Sequence, residues 1–249
     1  MPIAVITGGS RGLGRNAALH LARAGAGIVL TYQQNAEAAA EAVAEIRALG
    51  GTAAALPLDT GQTAEFAPFA AALRTALQEN WGVAQFDWLV NNAGYGIMKP
   101  FAETTETDFD GLCAVHLKGV FFLTQTLLPL IADGGRILNV SSGLSRFTMP
   151  GYAAYATMKG GVEVLTRYMA RELAPRRIAV NAIAPGATET DFGGGRVRDV
   201  PAARAGVAAS TAMGRPGLPD DIGRAIAAIL SDGGWITGQR IEASGGQNL

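Results

Sequence analysis

Short apolar runs alternate with longer stretches of helical pattern along this chain. Residues 2–7, 27–32, 52–58, 87–91, 135–140 and 178–183 read as strands, with a last short one at 239–241. Most are apolar at successive positions, as strands covered on both faces must be. Residues 13–24, 36–49, 62–80, 108–131, 153–174 and 219–230 carry helical composition. This rhythm predicts an α/β fold: one Rossmann-type, doubly wound parallel sheet of about seven strands with helices on both faces. No linker, repeat or low-complexity tract interrupts it, so residues 1–249 read as a single domain. The long irregular stretch is 186–214, with glycines at 193, 194 and 195 in a row. A long loop in a compact domain is usually functional, so this one is expected to meet the substrate.

Composition narrows the classes. Of 249 residues, 33 are glycine, 49% are hydrophobic and only 16% are charged, which suits a packed core and not disorder. The net charge of −1 argues against nucleic acid or an anionic membrane as the main partner. One cysteine, Cys113, cannot form an internal disulfide, and with two histidines the chain lacks the usual zinc ligand sets, so no metal is expected. The longest uncharged run, 119–132, is 14 residues and contains Pro129, short of a membrane span. No basic segment precedes the first apolar strand, so no signal peptide is expected and the reading is cytoplasmic.

Thr7-Gly8-Gly9-Ser10-Arg11-Gly12-Leu13-Gly14 joins the first strand to the first helix. A helix start there offers free N–H groups and a positive dipole end to a phosphate, and glycines let the backbone approach a pyrophosphate closely. The spacing is G-x-x-x-G-x-G. A plain strand–helix turn would explain each glycine singly, but the place at the first βα junction points to a dinucleotide. An NAD site usually carries an acidic residue at the tip of the second strand. Here the tip is Thr31-Tyr32-Gln33-Gln34-Asn35, without a carboxylate to repel a 2′-phosphate, and Arg11 can supply a cation. The chemistry favours NADP(H) over NAD(H).

Tyr155 and Lys159 stand four apart early in a helix, on one face. A nearby ammonium should lower the phenol's pKa and make it a usable acid or base. A second Y-x-x-x-K, Tyr95 to Lys99, contains Gly96 and abuts Pro100, so it reads as loop. The chain has 17 arginines and only three lysines, so a lysine at 159 suits a compact, multi-donor ammonium.

These motifs, taken in order, resemble the classical short-chain dehydrogenases/reductases over essentially the whole chain. The matching runs are 7–14, Leu58-Asp59-Thr60, Asn91-Asn92-Ala93-Gly94, Val140-Ser141-Ser142, Tyr155 to Lys159, and Asn181-Ala182-Ile183-Ala184-Pro185-Gly186. The style is that of 3-oxoacyl-carrier-protein reductase-like members. The resemblance implies roles. Tyr155 would donate a proton to a carbonyl, and Ser142, with Ser141 as rival, would bind its oxygen. Lys159 would hold the nicotinamide ribose and bias Tyr155. Gly8, Ser10, Arg11, Gly12, Leu13 and Gly14 would cradle the cofactor, with Tyr32 and Gln33 at its ribose. Asp59 and Thr60 would meet adenine, and Asn91, Asn92, Ala93 and Gly94 would lie along the cofactor. Pro185, Gly186, Thr188 and Thr190 would wrap the nicotinamide. A homotetramer or homodimer acting on a small carbonyl or alcohol substrate is implied.

The chain departs from the family in four places. His116 stands where an asparagine is usual, within Val115-His116-Leu117-Lys118-Gly119. In the family this position helps hold a water leading from the lysine. The imidazole is either a pH-sensitive relay member or a tolerated substitution whose main chain keeps the role. Tyr152 replaces a common glutamine. Ala132-Asp133-Gly134-Gly135 is an acidic turn where carrier-protein reductases are often basic, and Glu242-Ala243-Ser244 replaces the usual end of the last strand. The leading expectation is reduction of a ketone or aldehyde. Alternatives are a 3-oxoacyl-carrier-protein or -CoA reductase, an NAD-dependent alcohol, sugar or steroid dehydrogenase, and a non-catalytic dinucleotide sensor. Tyr95, Phe147, Met149, Tyr152, Phe192 and Met213 are candidates for an apolar pocket, about half of them expected to line it.

Overall fold

The computed structural model describes all residues, Met1–Leu249. Seven strands form one sheet in the order β3-β2-β1-β4-β5-β6-β7, and every pair is parallel. They are β1 (Ile3–Ile6), β2 (Gly27–Tyr32), β3 (Ala53–Pro57), β4 (Phe86–Asn91), β5 (Ile131–Val140), β6 (Ala179–Pro185) and β7 (Arg240–Ala243). The expected α/β class is therefore correct. The order reverses between β1 and β4, and the crevice at that switch point is where open α/β sheets take ligands.

The two faces of the sheet carry separate cores. On one, Ala4, Ile6, Ile28 and Leu30 pack under α1 (Gly12–Arg23), α2 (Ala36–Ala48) and α9 (Pro219–Asp232). On the other, Val5, Val29, Leu89 and Val180 pack under α3 (Phe66–Trp81), α5 (Gly119–Leu127) and the end of α6 (Ala153–Glu172). Successive strand residues point to opposite faces, so a strand apolar at every position feeds both cores at once.

Three expectations need correcting. The fifth strand starts at Ile131, not at 135. It pairs Phe86 with Ile131, shifts register, and resumes at Trp88 with Arg136. Gly134, at φ 79°, supplies the left-handed backbone that this irregularity uses. The helix expected at 108–131 is a run from Glu106 to Leu130 that changes character in the middle. After α4 (Glu106–Cys113) comes one π turn, Ala114–Lys118, in which the Gly119 N–H reaches back five residues to the Ala114 carbonyl. By length and by the apolar composition of its best 18-residue window this 25-residue run could cross a membrane, which the uncharged stretch alone did not suggest. Here Leu112, Leu123 and Leu127 are buried in the fold. Finally, 186–214 is not irregular throughout: it holds α7 (Arg196–Asp199) and α8 (Pro201–Ala209), the latter started by a proline at its first position.

Candidate active site

At the carboxyl end of β1, the glycine loop turns into α1. Gly8 lies at φ 63°, and a Cβ on it would stand 3.0 Å from the Ala93 Cα. A Cβ on Gly14 would collide with the Gly8 carbonyl. These two glycines therefore seat the loop on the 92–93 segment. Gly12, at φ 55°, is different: nothing lies within 4 Å of where its Cβ would be, so any side chain would fill the open approach to the helix start. That is the cradle a phosphate group needs. A cleft of about 410 Å³ opens here, with Gly12, Arg15 and Thr190 among its walls. A larger depression, about 640 Å³, lies against α2 and β3 and touches none of the candidate residues.

The neighbouring segments brace this loop. Thr31 accepts from the Gly8 N–H at 3.1 Å, and Thr7 Oγ1 accepts from the Asn92 and Ala93 N–H groups, both at 2.9 Å. Asn92 Nδ2 donates to the Thr7 and Gly8 carbonyls. Asn91 does not join them. Its amide is buried and donates to Thr124 Oγ1 at 3.0 Å and Asn139 Oδ1 at 2.9 Å, so its side chain serves the core instead of lying along a ligand. Asn91 is the last residue of β4 and points into the core, while Asn92, just past the strand end, turns to the glycine loop.

The tip of β2 has no carboxylate of its own, but that of Asp59 reaches it: Gln33 Nε2 donates to Asp59 Oδ2 at 2.9 Å, and the Gly61 N–H donates to Oδ1 at 2.8 Å. Arg11 is exposed and enters no ion pair, so its guanidinium is free for an anion. Ser10, Thr60, Pro185 and Thr190 are buried, Leu13, Gly186 and Thr188 are half-buried, and Gly94 is exposed. The Thr188 hydroxyl donates to the Gly186 carbonyl, and Thr190 Oγ1 accepts from the Phe192 N–H.

The side chains with acid–base capacity meet beyond the end of β5. Ser142 is extended and opens a 3₁₀ turn, Gly143–Ser145; its hydroxyl accepts from the Leu144 N–H and lies near enough to the Tyr155 phenol to pull its pKa down. Ser141 faces the other way, its hydroxyl donating to Glu163 Oε1 at 2.6 Å. Tyr155 and Lys159 are both buried on α6. Lys159 Nζ donates to the Val140 carbonyl at 2.7 Å and lies 5.6 Å from the centre of the Tyr155 ring. Burial pushes that ammonium down to about 8. The phenol is moved up, chiefly by burial, with Ser142 pulling it partly back. The expectation that Lys159 lowers the phenol's pKa is therefore not met: burial outweighs any lowering, and the ammonium is not among the groups that move the phenol.

His116 enters this site from the π turn. Its ring stands edge-on to Tyr155 at 5.2 Å between centroids and leaves no room for a Cβ on Gly94. Nε2 lies 2.7 Å from the Tyr95 carbonyl; a carbonyl only accepts, so Nε2 carries the proton. Nδ1 is buried without a partner. Burial first, and the Lys159 charge second, push the imidazole down to about 3. It is neutral throughout the physiological range, which removes the reading of a pH-sensitive relay. Tyr95 to Lys99 is loop as expected, and Lys99 pairs with Asp108 at 2.6 Å.

Of the six candidate pocket residues, three gather here. Phe192 lies 5.7 Å and Tyr152 6.4 Å from the Tyr155 ring, and Tyr95 lies 5.6 Å from His116. Phe147 packs on Gly143 beneath Arg146, Met213 lies beside Gly245, and Met149 is exposed. Glu163 and Arg240, absent from the sequence-based set, join the site through Ser141 and Ser142. The signal for Glu163 was available: it continues the 155–159 spacing by one more helical step.

Three comparisons bear on this arrangement. The family model described as Enoyl-(Acyl carrier protein) reductase matches residues 8–248. The chain is 34% identical to the tetrahydroxynaphthalene reductase PfmaG of Pestalotiopsis fici, over 98% of this chain and 90% of that one. Among solved structures, it is similar to the angucycline C-6 ketoreductase LanV with bound NADP (37% identity, TM-score 0.94, covering 99% of this chain and 95% of that one). It is also similar to LugOII, a promiscuous reductase that catalyses keto-reduction at C1 during lugdunomycin biosynthesis (39% identity, TM-score 0.93, covering 98% and 96%).

The buried imidazole makes an acid-stability prediction. Folded His116 takes a proton only near pH 3, whereas in the unfolded chain it titrates near its ordinary value of ~6.5. Between those values the unfolded state binds the extra proton. Stability is full above about pH 6.5 and falls as the pH drops toward 3. Denaturant unfolding of His116→Asn across this range should show a shallower acid loss than wild type, with the pH–rate profile near neutrality unchanged in shape. Parallel stability curves, or loss of one limb of the rate profile, would contradict the assignment of a neutral imidazole.

Proposed function

The chain belongs to the classical short-chain dehydrogenase/reductase family, and from that membership we propose that it reduces the carbonyl of a small ketone or aldehyde to an alcohol with NADP(H), using Ser142, Tyr155 and Lys159. The observation that carries this is the convergence of a serine hydroxyl, a buried phenol and a buried ammonium at the carboxyl end of β5. These groups share the crevice with the glycine cradle.

The open side of Gly12 and the α1 N-terminus fit the pyrophosphate, and unpaired Arg11, with a 31–35 segment that carries no acidic side chain of its own, fits a 2′-phosphate. When bound, NADPH supplies the hydride. Ser142 donates a hydrogen bond to the substrate oxygen and orients it. Tyr155, whose raised pKa keeps it protonated at neutral pH, gives its proton to that oxygen as negative charge develops there. Lys159 holds the nicotinamide ribose hydroxyls, and Asn92, Ala93, Gly94, Pro185, Gly186, Thr188 and Thr190 form the cofactor's walls. His116 acts through its fold, as the kink that the π turn builds and as the anchor of the Tyr95 carbonyl.

Tyr95, Tyr152 and Phe192 offer flat apolar surface next to Tyr155, which suits a planar aromatic ketone. The named activities of PfmaG, LanV and LugOII support that class for this chain. A second reading is reduction of a 3-oxoacyl thioester; the description of the matching family model shares with it the acyl-carrier substrate, while the bond it names is the enoyl double bond. In our reading residues 1–249 act as one catalytic domain, with 186–214 as its substrate segment. The enzyme works in the cytoplasm as a homotetramer or homodimer, using the face where Phe121, Phe122, Val164 and Tyr168 stay exposed.

Two outcomes test this. Tyr155→Phe should cut ketone reduction below about a tenth of wild type while NADPH affinity, read by fluorescence quenching, stays within a few-fold. Retained turnover would reassign the proton donor, with Tyr152 the next candidate. Arg11→Ala should weaken NADPH by roughly ten- to a hundredfold, the worth of a charge-assisted hydrogen bond, and leave NADH nearly unchanged. Equal weakening of both would mean that the arginine does not read the 2′-phosphate.

A further inference from the structure

Glu163 lies one helical step beyond Lys159 and two beyond Tyr155, on the same stripe of α6. It is mostly buried. Its Oε1 receives the Ser141 hydroxyl at 2.6 Å and Arg240 Nε at 2.7 Å, and the Ser145 hydroxyl stands 2.6 Å away. Two of these three neighbours also hold the main chain of Ser142. The Ser142 carbonyl faces Ser145 Oγ at 2.7 Å, the Ser145 N–H at 3.2 Å and Arg240 Nη2 at 3.3 Å. The Ser145 hydroxyl has one proton and two acceptors, so the carboxylate and the carbonyl share it.

The arrangement continues outward. Arg240 Nη1 reaches Glu242 Oε2 at 2.9 Å, and Arg146 grips both oxygens of Glu242, each at 2.8 Å. The charges alternate along Glu163, Arg240, Glu242 and Arg146, so the chain of contacts neutralises itself. Glu242 is held down to about 2 by Arg146 first, and therefore stays ionised. This gives the unusual Glu242 of the last strand a purpose: it steadies the arginine that steadies the serine loop.

We infer that Glu163 is a positioning residue for Ser142: it ties the serine-bearing turn after β5 to the helix that carries Tyr155, so that one rigid element sets both oxygens that must meet the substrate carbonyl. The inference rests on the reading that Ser142 and Tyr155 bind that carbonyl. Alignment of reacting groups is worth orders of magnitude in rate, and a misplacement of about 1 Å can cost ~100-fold. A helix two turns long between Tyr155 and Glu163 is a stiffer reference than the turn 143–145 alone.

The test uses the intact chain with NADPH and a planar ketone that wild type reduces. Glu163→Gln keeps the shape and removes the charge, and Ser145→Ala removes one hydroxyl without touching charge. Both should lower kcat at least tenfold, while the dissociation constant for NADPH stays within about twofold and Tm falls by only a few degrees. Glu163→Ala should lose more than Glu163→Gln, since the amide oxygen can still accept. If Glu163→Ala fails to fold, the other two variants carry the test. Normal kcat in both, or kcat falling only in step with NADPH affinity and Tm, overturns the inference. No ketone reduction by wild type, or full activity of Ser142→Ala, would instead sink the reading on which it rests.

Discussion

A buried lysine ammonium, held 2.7 Å from the Val140 carbonyl, is the contact on which the rest of this site depends. An ammonium taken out of water is costly unless its donors are used, and burial has already lowered its pKa to about 8. The carbonyl it uses is the last of β5, at the sheet's carboxyl end. Pinning α6 there brings Tyr155 to the serine that follows the same strand. One donor of Lys159 is used there, and two remain.

Polar groups elsewhere in the core follow the same rule of full use. Asn91, Thr124, Asn139 and Thr166 form a buried chain of side-chain hydrogen bonds between β4, α5, β5 and α6. Around the turn after β5, Glu163, Arg240, Glu242 and Arg146 alternate in sign. Buried polar networks of this kind fix geometry when every member is satisfied. Asn16 Oδ1, Trp81 Nε1 and His116 Nδ1 are buried without a partner, and the last of these belongs to the site.

The strand–helix rhythm was legible because parallel strands buried on both faces are apolar at every position, and no other element of that length is. The start of β5 was not, because Asp133, Gly134 and Gly135 break the apolar pattern where the backbone shifts register. Helices α7 and α8 were hidden behind Gly193–Gly195, all three at positive φ, which read as continued loop. The π turn has the composition of the α-helix around it, so only its hydrogen bonding reveals it. Among the site residues, the paired positions were the hard ones. Asn91 and Asn92, like Ser141 and Ser142, are chain neighbours at or just past the end of a strand, and sequence alone does not say which of each pair faces the crevice. The resemblance selected Ser142, and the two hydroxyls do point apart. The pKa of Tyr155 was misjudged because spacing placed an ammonium near the tyrosine but said nothing of its burial, which is the larger effect.

The central claim is that this constellation reduces a ketone with NADPH. It is met most directly by following the absorbance of NADPH and of NADH in parallel while wild-type protein is offered planar aromatic ketones, simple ketones, sugars and 3-oxoacyl thioesters. The account predicts oxidation of NADPH well ahead of NADH, fastest with the planar aromatic ketones. Preference for NADH would contradict the cofactor assignment, thioesters turning over fastest would move the substrate to the second reading, and oxidation of neither cofactor by any carbonyl would contradict the account itself.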